Sequence, residues 1–419
     1  MIQIKTKSLP SDDYYRKYYW DFRKDAWNCS RCACCKWIDT WEVKSARFAG
    51  TCPSSGRYKF DAYSCQGRLD IALALIDGKL SYEESPKLLD IYYQCDTCGA
   101  CDVSCKRSQD LQPLNVMLEV RAKLVKDGQI LPAHKAVIDG LKKENNMLQK
   151  SAADRGKWAK GMNIKNLTKE KAEFAYHAGC LLSFDEGLWP VARAGIEVLK
   201  SAGVDIGIMG ASEMCCGGRA YDMGYRDEFY RLADLNEKAL KKAGVKEVIT
   251  SCADGYRAFK VLYPEAGKQV EVQHIVESVY SLMKSGKIKL NKEVPLTVTY
   301  HDPCRLGRLS KPYVPGEPID GVYEPPREIL RAIPGVKLVE MERIKEYAWC
   351  CGAGGGVKEA YPDFSIWTAS ERIEEAKATG AEAIVTACPW CEKNFKEAVA
   401  QKGDKIKVYD VIELVKAAL

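Results

Sequence analysis

The chain has 419 residues, 46% hydrophobic and 29% charged, a balance that fits a soluble globular protein of two or three domains. Its net charge of +6 is spread over 63 basic and 57 acidic residues and does not make the concentrated basic field that nucleic-acid binding needs. No run of about 18 apolar residues occurs, which excludes a helical membrane span.

Cysteine is the departure from average. There are 19, an odd number, and the opening stretch MIQIKTKSLPSDDYY lacks the apolar core of a signal peptide. A cytoplasmic location is therefore expected, where disulfides are disfavoured and cysteines serve as metal ligands or redox groups. Only four histidines are present, at 134, 177, 274 and 301, so metal chemistry here is mainly thiolate chemistry. Soft thiolate sites select zinc or iron–sulfur clusters.

Residues 1–141 read as a small, mostly helical domain. Helical patterns at RLDIALALIDG (68–78) and PLNVMLEVRAKLVKDG (113–128) flank the cysteine runs, with few strand candidates. CDTCGACDVSC, Cys95 to Cys105, has the bacterial ferredoxin spacing C-x2-C-x2-C-x3-C, in which the fourth cysteine serves the other 4Fe–4S cube. CSRCACC repeats the spacing with Cys29, Cys32 and Cys35, and its Cys-Pro is displaced to Cys52–Pro53. Crossing the fourth ligands gives one cube on Cys29, Cys32, Cys35 and Cys105. It gives the other on Cys95, Cys98, Cys101 and Cys52, with Cys65 as a rival to Cys52. Cys105 is followed by Lys rather than Pro. Cys34 is left over and reads as a packed thiol.

Residues 142–173, rich in Lys and Asn with little apolar periodicity, read as a linker wrapping between domains, ordered only if it packs on something. Beyond it the sequence repeats. AYHAGC (175–180) matches TYHDPC (299–304), EMCCGGRA (213–220) matches AWCCGAGG (348–355), and VITSCADG (248–255) matches IVTACPWC (384–391). Two copies of one unit are expected, at 174–294 and 295–419. The Pro-rich stretch LSKPYVPGEPIDGVYEPP (309–326) is a loop insertion in the second copy. Each unit reads as α/β. VKEVITS, VPLTVTY, VKLVEME and AEAIVTA look like short buried strands, and three helical patterns end on Gly203, Gly244 and Gly380. Cys252, Cys304 and Cys388 then fall just past strand ends, where open α/β sheets bind ligands.

The adjacent pair Cys350–Cys351 points to an open cluster rather than a cube, because one peptide step hands two ligands to a cube only under strain. Gly352, Gly354 and Gly355 can take positive φ and bring backbone N–H groups against cluster sulfur. Two other readings stand: a four-cysteine zinc site using Cys388 and Cys391, and a strained disulfide between neighbours. Five cysteines, one more than zinc uses, favour iron. GAGGG follows cysteines instead of opening a βαβ unit, so no nucleotide fingerprint is visible and any flavin belongs on a partner.

The pattern C…CCG…C-x2-C, with HDPCRLGR, AWCCGAGGG and ACPWC, resembles the cysteine-rich CCG domains of heterodisulfide reductase. The fusion of ferredoxin and CCG halves resembles the D-type subunit of that enzyme over roughly residues 25 to 419. The resemblance implies a noncubane 4Fe–4S cluster on Cys304, Cys350, Cys351, Cys388 and Cys391. It implies two tandem α/β CCG domains behind a helical di-cluster ferredoxin domain. In the first unit Cys180, Cys215, Cys216 and Cys252 match, but Gly255 stands at the fifth position. Its occupant could be a modified cluster, a cube, zinc or nothing. Asp254 reads as an exposed loop carboxylate rather than an oxygen ligand. His177 and His301 hold equivalent places; each is a packed residue or, at His301, a proton donor to a leaving thiolate. The long spacer between Cys35 and Cys52 departs from the D-type pattern. Related subunits occur in class II benzoyl-CoA reductase and in membrane-linked sulfate-reducer complexes.

The expectation is an anaerobic electron-transfer iron–sulfur oxidoreductase subunit. Single electrons would pass from a flavin-containing or other iron–sulfur partner through two cubes to the second CCG site, for disulfide reduction. The competing expectations are a pure relay in a larger complex of the benzoyl-CoA reductase type and a zinc-bound scaffold.

Overall fold

The computed structural model describes residues 22–39 and 41–419; residues 1–21 of the expected helical domain lie outside the described residues. Up to Glu144 the described chain is short helices joined by cysteine-bearing loops, with only a single isolated β-bridge, Trp37 to Gly50. Helices Pro53–Tyr58, Pro113–Lys126 and Pro132–Glu144 open on proline, whose fixed φ and missing N–H suit a first helical turn. Leu69 and Ala72 on Cys65–Ile76, and Leu114, Met117 and Leu124 on Pro113–Lys126, are buried in one apolar cluster.

Two parallel sheets follow. The first contains β1 (Lys165–Asn166), β2 (Phe174–His177), β3 (Ile206–Ile208), β4 (Glu247–Thr250) and β5 (Val272–His274), in the order β1-β3-β2-β4-β5. The second contains β6 (Leu296–His301), β7 (Val336–Leu338), β8 (Ala383–Thr386) and β9 (Lys407–Asp410), in the order β7-β6-β8-β9. The expected α/β repeat is present down to its register: His177 pairs with Thr250 as His301 pairs with Thr386. The threonine hydroxyl donates back to the histidine carbonyl in both, at 2.9 and 3.4 Å.

Topology decides where the thiols go. From β2 the chain moves outward to β3, then crosses to β4 on the other side; β6, β7 and β8 do the same. Strand order reverses between β2 and β4 and between β6 and β8, and a crevice opens there beyond the carboxyl ends. Cys180 and Cys252 follow β2 and β4, and Cys304 and Cys388 follow β6 and β8.

The stretch 142–173 packs tightly. Asn166 and Lys165 extend the first sheet against β3, Trp158 is 2% exposed, and the Asn145 carbonyl accepts from the Cys215 N–H at 2.8 Å. The Pro-rich insertion is a strap onto the helical region: the Tyr313 hydroxyl donates to Asp110 at 2.6 Å, and Lys106 donates to the Val314 carbonyl at 2.6 Å. Buried apolar side chains of all three regions form one continuous cluster. Among the described residues, no helix is long and apolar enough to cross a membrane.

Candidate metal centres

All 19 cysteines are free thiols, so the adjacent pair Cys350–Cys351 is not a disulfide. The two N-terminal runs share one loop conformation. Arg31 and Ala33 in the first have φ of 62° and 66°; Thr97 and Gly99, at the matching places in the second, have 48° and 73°. Left-handed turns at non-glycine residues carry strain, and here they curl each loop so that its thiols face inward. Cys29, Cys32, Cys35 and Cys105 line one cavity, together with Cys34 and Cys65. Cys52, Cys95, Cys98 and Cys101 line a second, together with Cys65. Each cavity gathers one of the crossed sets read from spacing among other thiols, and four convergent thiols suit the donor set of a cube.

Cys65 lines both cavities, and its thiol reaches Cys35 on one side and Cys101 on the other. Its single S–H proton can be donated to either neighbour, one at a time. Cys34 sits beside Cys32, whose sulfur also accepts from the Ser108 hydroxyl at 3.3 Å. Cys52→Ser is expected to cost about four irons per chain. Cys65→Ser should keep the iron and shift both cube potentials, because hydrogen bonds to cluster sulfur tune them. Iron analysis and redox titration of the two variants check this, and an equal iron loss in both would contradict it.

In the second unit the thiols form an unbroken chain. Cys350 contacts Cys304 and Cys351, Cys351 contacts Cys391, and Cys391 contacts Cys388. All but Cys304 are 5% exposed or less. Cys304, Cys351, Cys388 and Cys391 line a small cavity, closed by Arg219, Arg305 and Trp390. A ring nitrogen of His301 lies within 4.8 Å of the Cys351 and Cys391 sulfurs. Its Nδ1 accepts from Arg372 Nε at 3.2 Å, which leaves the ring proton on Nε2. Burial lowers the pKa of His301, so the ring is neutral near pH 7.

The glycines explain how this unit meets the helical domain. Gly352 has φ of 84°, its N–H points at the Cys350 sulfur (3.3 Å), and a β-carbon there would lie 2.3 Å from the Ser365 carbonyl. β-carbons on Gly354 and Gly355 would lie 2.5 Å from the Asp96 carbonyl and 2.8 Å from the Cys95 carbonyl. The stripped backbone thus lets the Cys350–Cys351 loop press against the Cys95–Cys98 loop. As a result the Cys98 thiol contacts the Cys350 thiol directly. Arg308 clamps the junction, donating to the carbonyls of Cys98, Glu346 and Ala348 at 2.6 to 2.8 Å. Asp96 lies between the two loops with neither carboxyl oxygen partnered. Burial first, then Cys98, Cys351 and Cys304, hold its pKa well above the usual carboxylate range.

In the first unit Cys180 contacts Cys215, and Cys215 contacts Cys216. His177 Nε2 bonds the Met214 carbonyl at 3.0 Å, and its ring meets Phe259 edge-on, as a packed histidine. Asp254 differs from expectation. It is not an exposed loop carboxylate but a helical residue with a side chain 12% exposed, ion-paired with Arg219 and Arg305 at 3.1 Å each. Sequence reading assigned no role to Arg155, Arg219, Arg305 or Arg308. For the last three the only hint was their closeness to cysteines in CCGGRA and HDPCRLGR; Arg155 had none.

The chain matches the model of the Cysteine-rich domain family, CCG, at residues 174–260 and 298–396. It is 34% identical over 401 residues to the D-type subunit of the dihydromethanophenazine:CoB–CoM heterodisulfide reductase of Methanosarcina mazei, covering 94% of this chain and 93% of that one. It is 31% identical to the probable iron–sulfur-binding oxidoreductase FadF of Bacillus subtilis, over 83% of this chain and 48% of that protein. It is 30% identical to the EtfAB:quinone oxidoreductase of Syntrophomonas wolfei, over 78% of this chain and 46% of that one. Among solved structures, a hypothetical protein from Helicobacter pylori superposes with a TM-score of 0.55 at 10% identity, covering 97% of this chain and 74% of that one, a likeness of fold alone.

Proposed function

Because the chain belongs to the family of heterodisulfide reductase D-type subunits, we propose that it is an iron–sulfur electron-transfer subunit with three centres in a row, the last of which reduces a disulfide. The first would be held by Cys29, Cys32, Cys35 and Cys105, and the second by Cys52, Cys95, Cys98 and Cys101. The third would be held by Cys304, Cys350, Cys351, Cys388 and Cys391. The contact between Cys98 and Cys350 carries this order, since it joins the second set to the third. Cys65, touching Cys35 and Cys101, joins the first to the second. The outer cube is the entry end: Cys32 is exposed, whereas Cys98 and Cys350 are buried.

Iron–sulfur clusters bound at these sites supply single-electron steps, two of which with two protons convert a disulfide to two thiols. The donor would be a flavin-containing or other iron–sulfur partner subunit. The protein's own groups shape the terminal site. His301 stands beside Cys351 with its ring proton on Nε2, and Arg372 fixes that tautomer. Arg305 donates to the Cys304 sulfur at 3.3 Å and favours the thiolate form. Arg219 lies over the Trp390 ring at 4.3 Å, and the two wall the cavity.

Anaerobically reconstituted protein should carry about twelve irons with matching sulfide. Reduced viologen should drive turnover of a disulfide. Protein with zinc as its only metal would overturn the proposal. Full iron loading without disulfide turnover would make the chain a relay and remove the terminal step.

A further inference from the structure

The two cysteine-rich units repeat in sequence but differ in what their thiols face. In the first, Cys180, Cys215 and Cys216 form one group in contact, and Cys252 is separate from it. Cys180 and Cys215 face each other, and Arg155 closes on Cys180: Nη2 donates to the sulfur at 3.1 Å and Nη1 to Glu213 at 2.9 Å. Arg155 is 1% exposed. Glu213 is itself fixed by the N–H groups of Ala178 and Gly179, each at 3.0 Å. A buried guanidinium, held through both Nη atoms with only its Nε unpartnered, thus stands against the sulfur that would have to bind metal, and it comes from the segment between domains.

Cys252 faces the other way. Its thiol meets that of Cys388, across the boundary between the units. The helix that begins after it, Ala253–Arg257, carries Asp254 into the wall of the second unit's cavity, where it pairs with Arg219 and Arg305. The missing fifth thiol is not a matter of space. A β-carbon on Gly255 would meet nothing closer than the Thr250 hydroxyl at 3.5 Å, and Gly255 has no positive φ that would require glycine.

The geometry points to one cluster site shared by both units: Cys252 supplies a sixth thiol to the centre of Cys304, Cys350, Cys351, Cys388 and Cys391, and the first unit holds no iron of its own. This rests on the reading of the second unit as an iron site. The degenerate copy becomes the other wall of its partner's centre.

The test uses the full chain, reconstituted anaerobically. Cys180→Ser, nearly isosteric and still able to accept from Arg155, and Cys215→Ser, still able to accept from the Gly217 N–H, should leave the iron content unchanged. Cys252→Ser should leave the two cube signals intact and alter the electron paramagnetic resonance spectrum of the third centre. Loss of about four irons in Cys180→Ser, or an unaltered third signal in Cys252→Ser, overturns the inference. Should Cys180→Ser fail to fold, native mass spectrometry of the unaltered protein decides: the mass of three clusters is expected, and that of four overturns it. Cys391→Ala separates the two readings. It should remove the third signal whichever unit Cys252 serves, and retention of that signal sinks the centre itself.

Discussion

Replacing Cys351 by alanine is expected to remove the third centre while leaving both cubes in place. Cys351 is the middle of the sulfur chain, in contact with Cys350 and Cys391 and beside the His301 ring. At 5% exposure it has no water to replace the lost sulfur. Its loss divides Cys304 and Cys350 from Cys388 and Cys391. Changes to groups that merely orient metal ligands cost about 10- to 100-fold in affinity or activity. A residue that bridges the ligand set should cost more, so disulfide turnover should fall by well over about 100-fold, with about four irons missing. The cubes should still be reducible, since Cys98 and its partners are untouched. Cys34→Ala is the matched control: Cys34 lines the first cavity beside Cys32 but lies outside the proposed ligand set, so the variant should keep both iron and turnover. Wild-type iron content in Cys351→Ala would refute the ligand assignment.

Arg121→Ala is expected to be the most destabilising single change in the interior. The Arg121 side chain is 0% exposed and lies over the Tyr93 ring at 4.9 Å. It donates to the carbonyls of Tyr92 and Cys95 in the helical domain, of Asp222 in the first unit and of Gly355 in the second, at 2.7 to 3.2 Å. One side chain therefore ties all three parts together beside the Cys98–Cys350 junction. Its removal strands four buried acceptors, each costing about 1–3 kcal/mol when left unpaired. Even with partial relaxation the loss should exceed about 4 kcal/mol, in the range reserved for broken buried networks. Lysine keeps the charge but is a point donor without the planar fork, so Arg121→Lys should recover only part. Anaerobic denaturant unfolding measures the loss, and a change under about 1 kcal/mol would contradict the role. The variant should also slow reduction of the third centre relative to the second, because the loops that bring Cys98 to Cys350 are no longer fixed.

The grouping of the thiols was legible where spacing is a local property. The C-x2-C-x2-C runs could be read directly, as could the repeat that places Cys304 and Cys388 past strand ends, and the structure brings Cys105 and Cys52 to the cavities of Cys29 and Cys95. The shortest strands were harder. Ile206–Ile208, Val272–His274 and Lys407–Asp410 are three or four residues long, too short for alternation to stand out. What the sequence could not disclose was how the units face each other. Nothing around Cys252 says that its thiol turns to Cys388 rather than to Cys216. Nothing around Arg155 says that it reaches Cys180 from the far side of a Lys-rich segment. Asp254 looked solvent-exposed because its partners, Arg219 and Arg305, lie 35 and 51 positions away in the chain. The strap at 309–326 was visible as an insertion, but its anchoring on Asp110 is a tertiary fact.

The buried arginines bear on how the protein is made. Arg68, Arg121 and Arg308 are each buried and, among the described residues, form no ion pair; their hydrogen bonds go mainly to carbonyl and hydroxyl oxygens, with Asp222 near Arg121 and Asp102 near Arg308. Buried cations are costly, and cysteine sulfurs whose protons metal displaces would add neighbouring anions. A newly synthesised chain lacking iron would hold these positive charges in its interior only partly compensated. Maturation and folding are therefore one process: cells short of iron or sulfide should accumulate this polypeptide not as an empty, refillable shell but as a substrate for proteases.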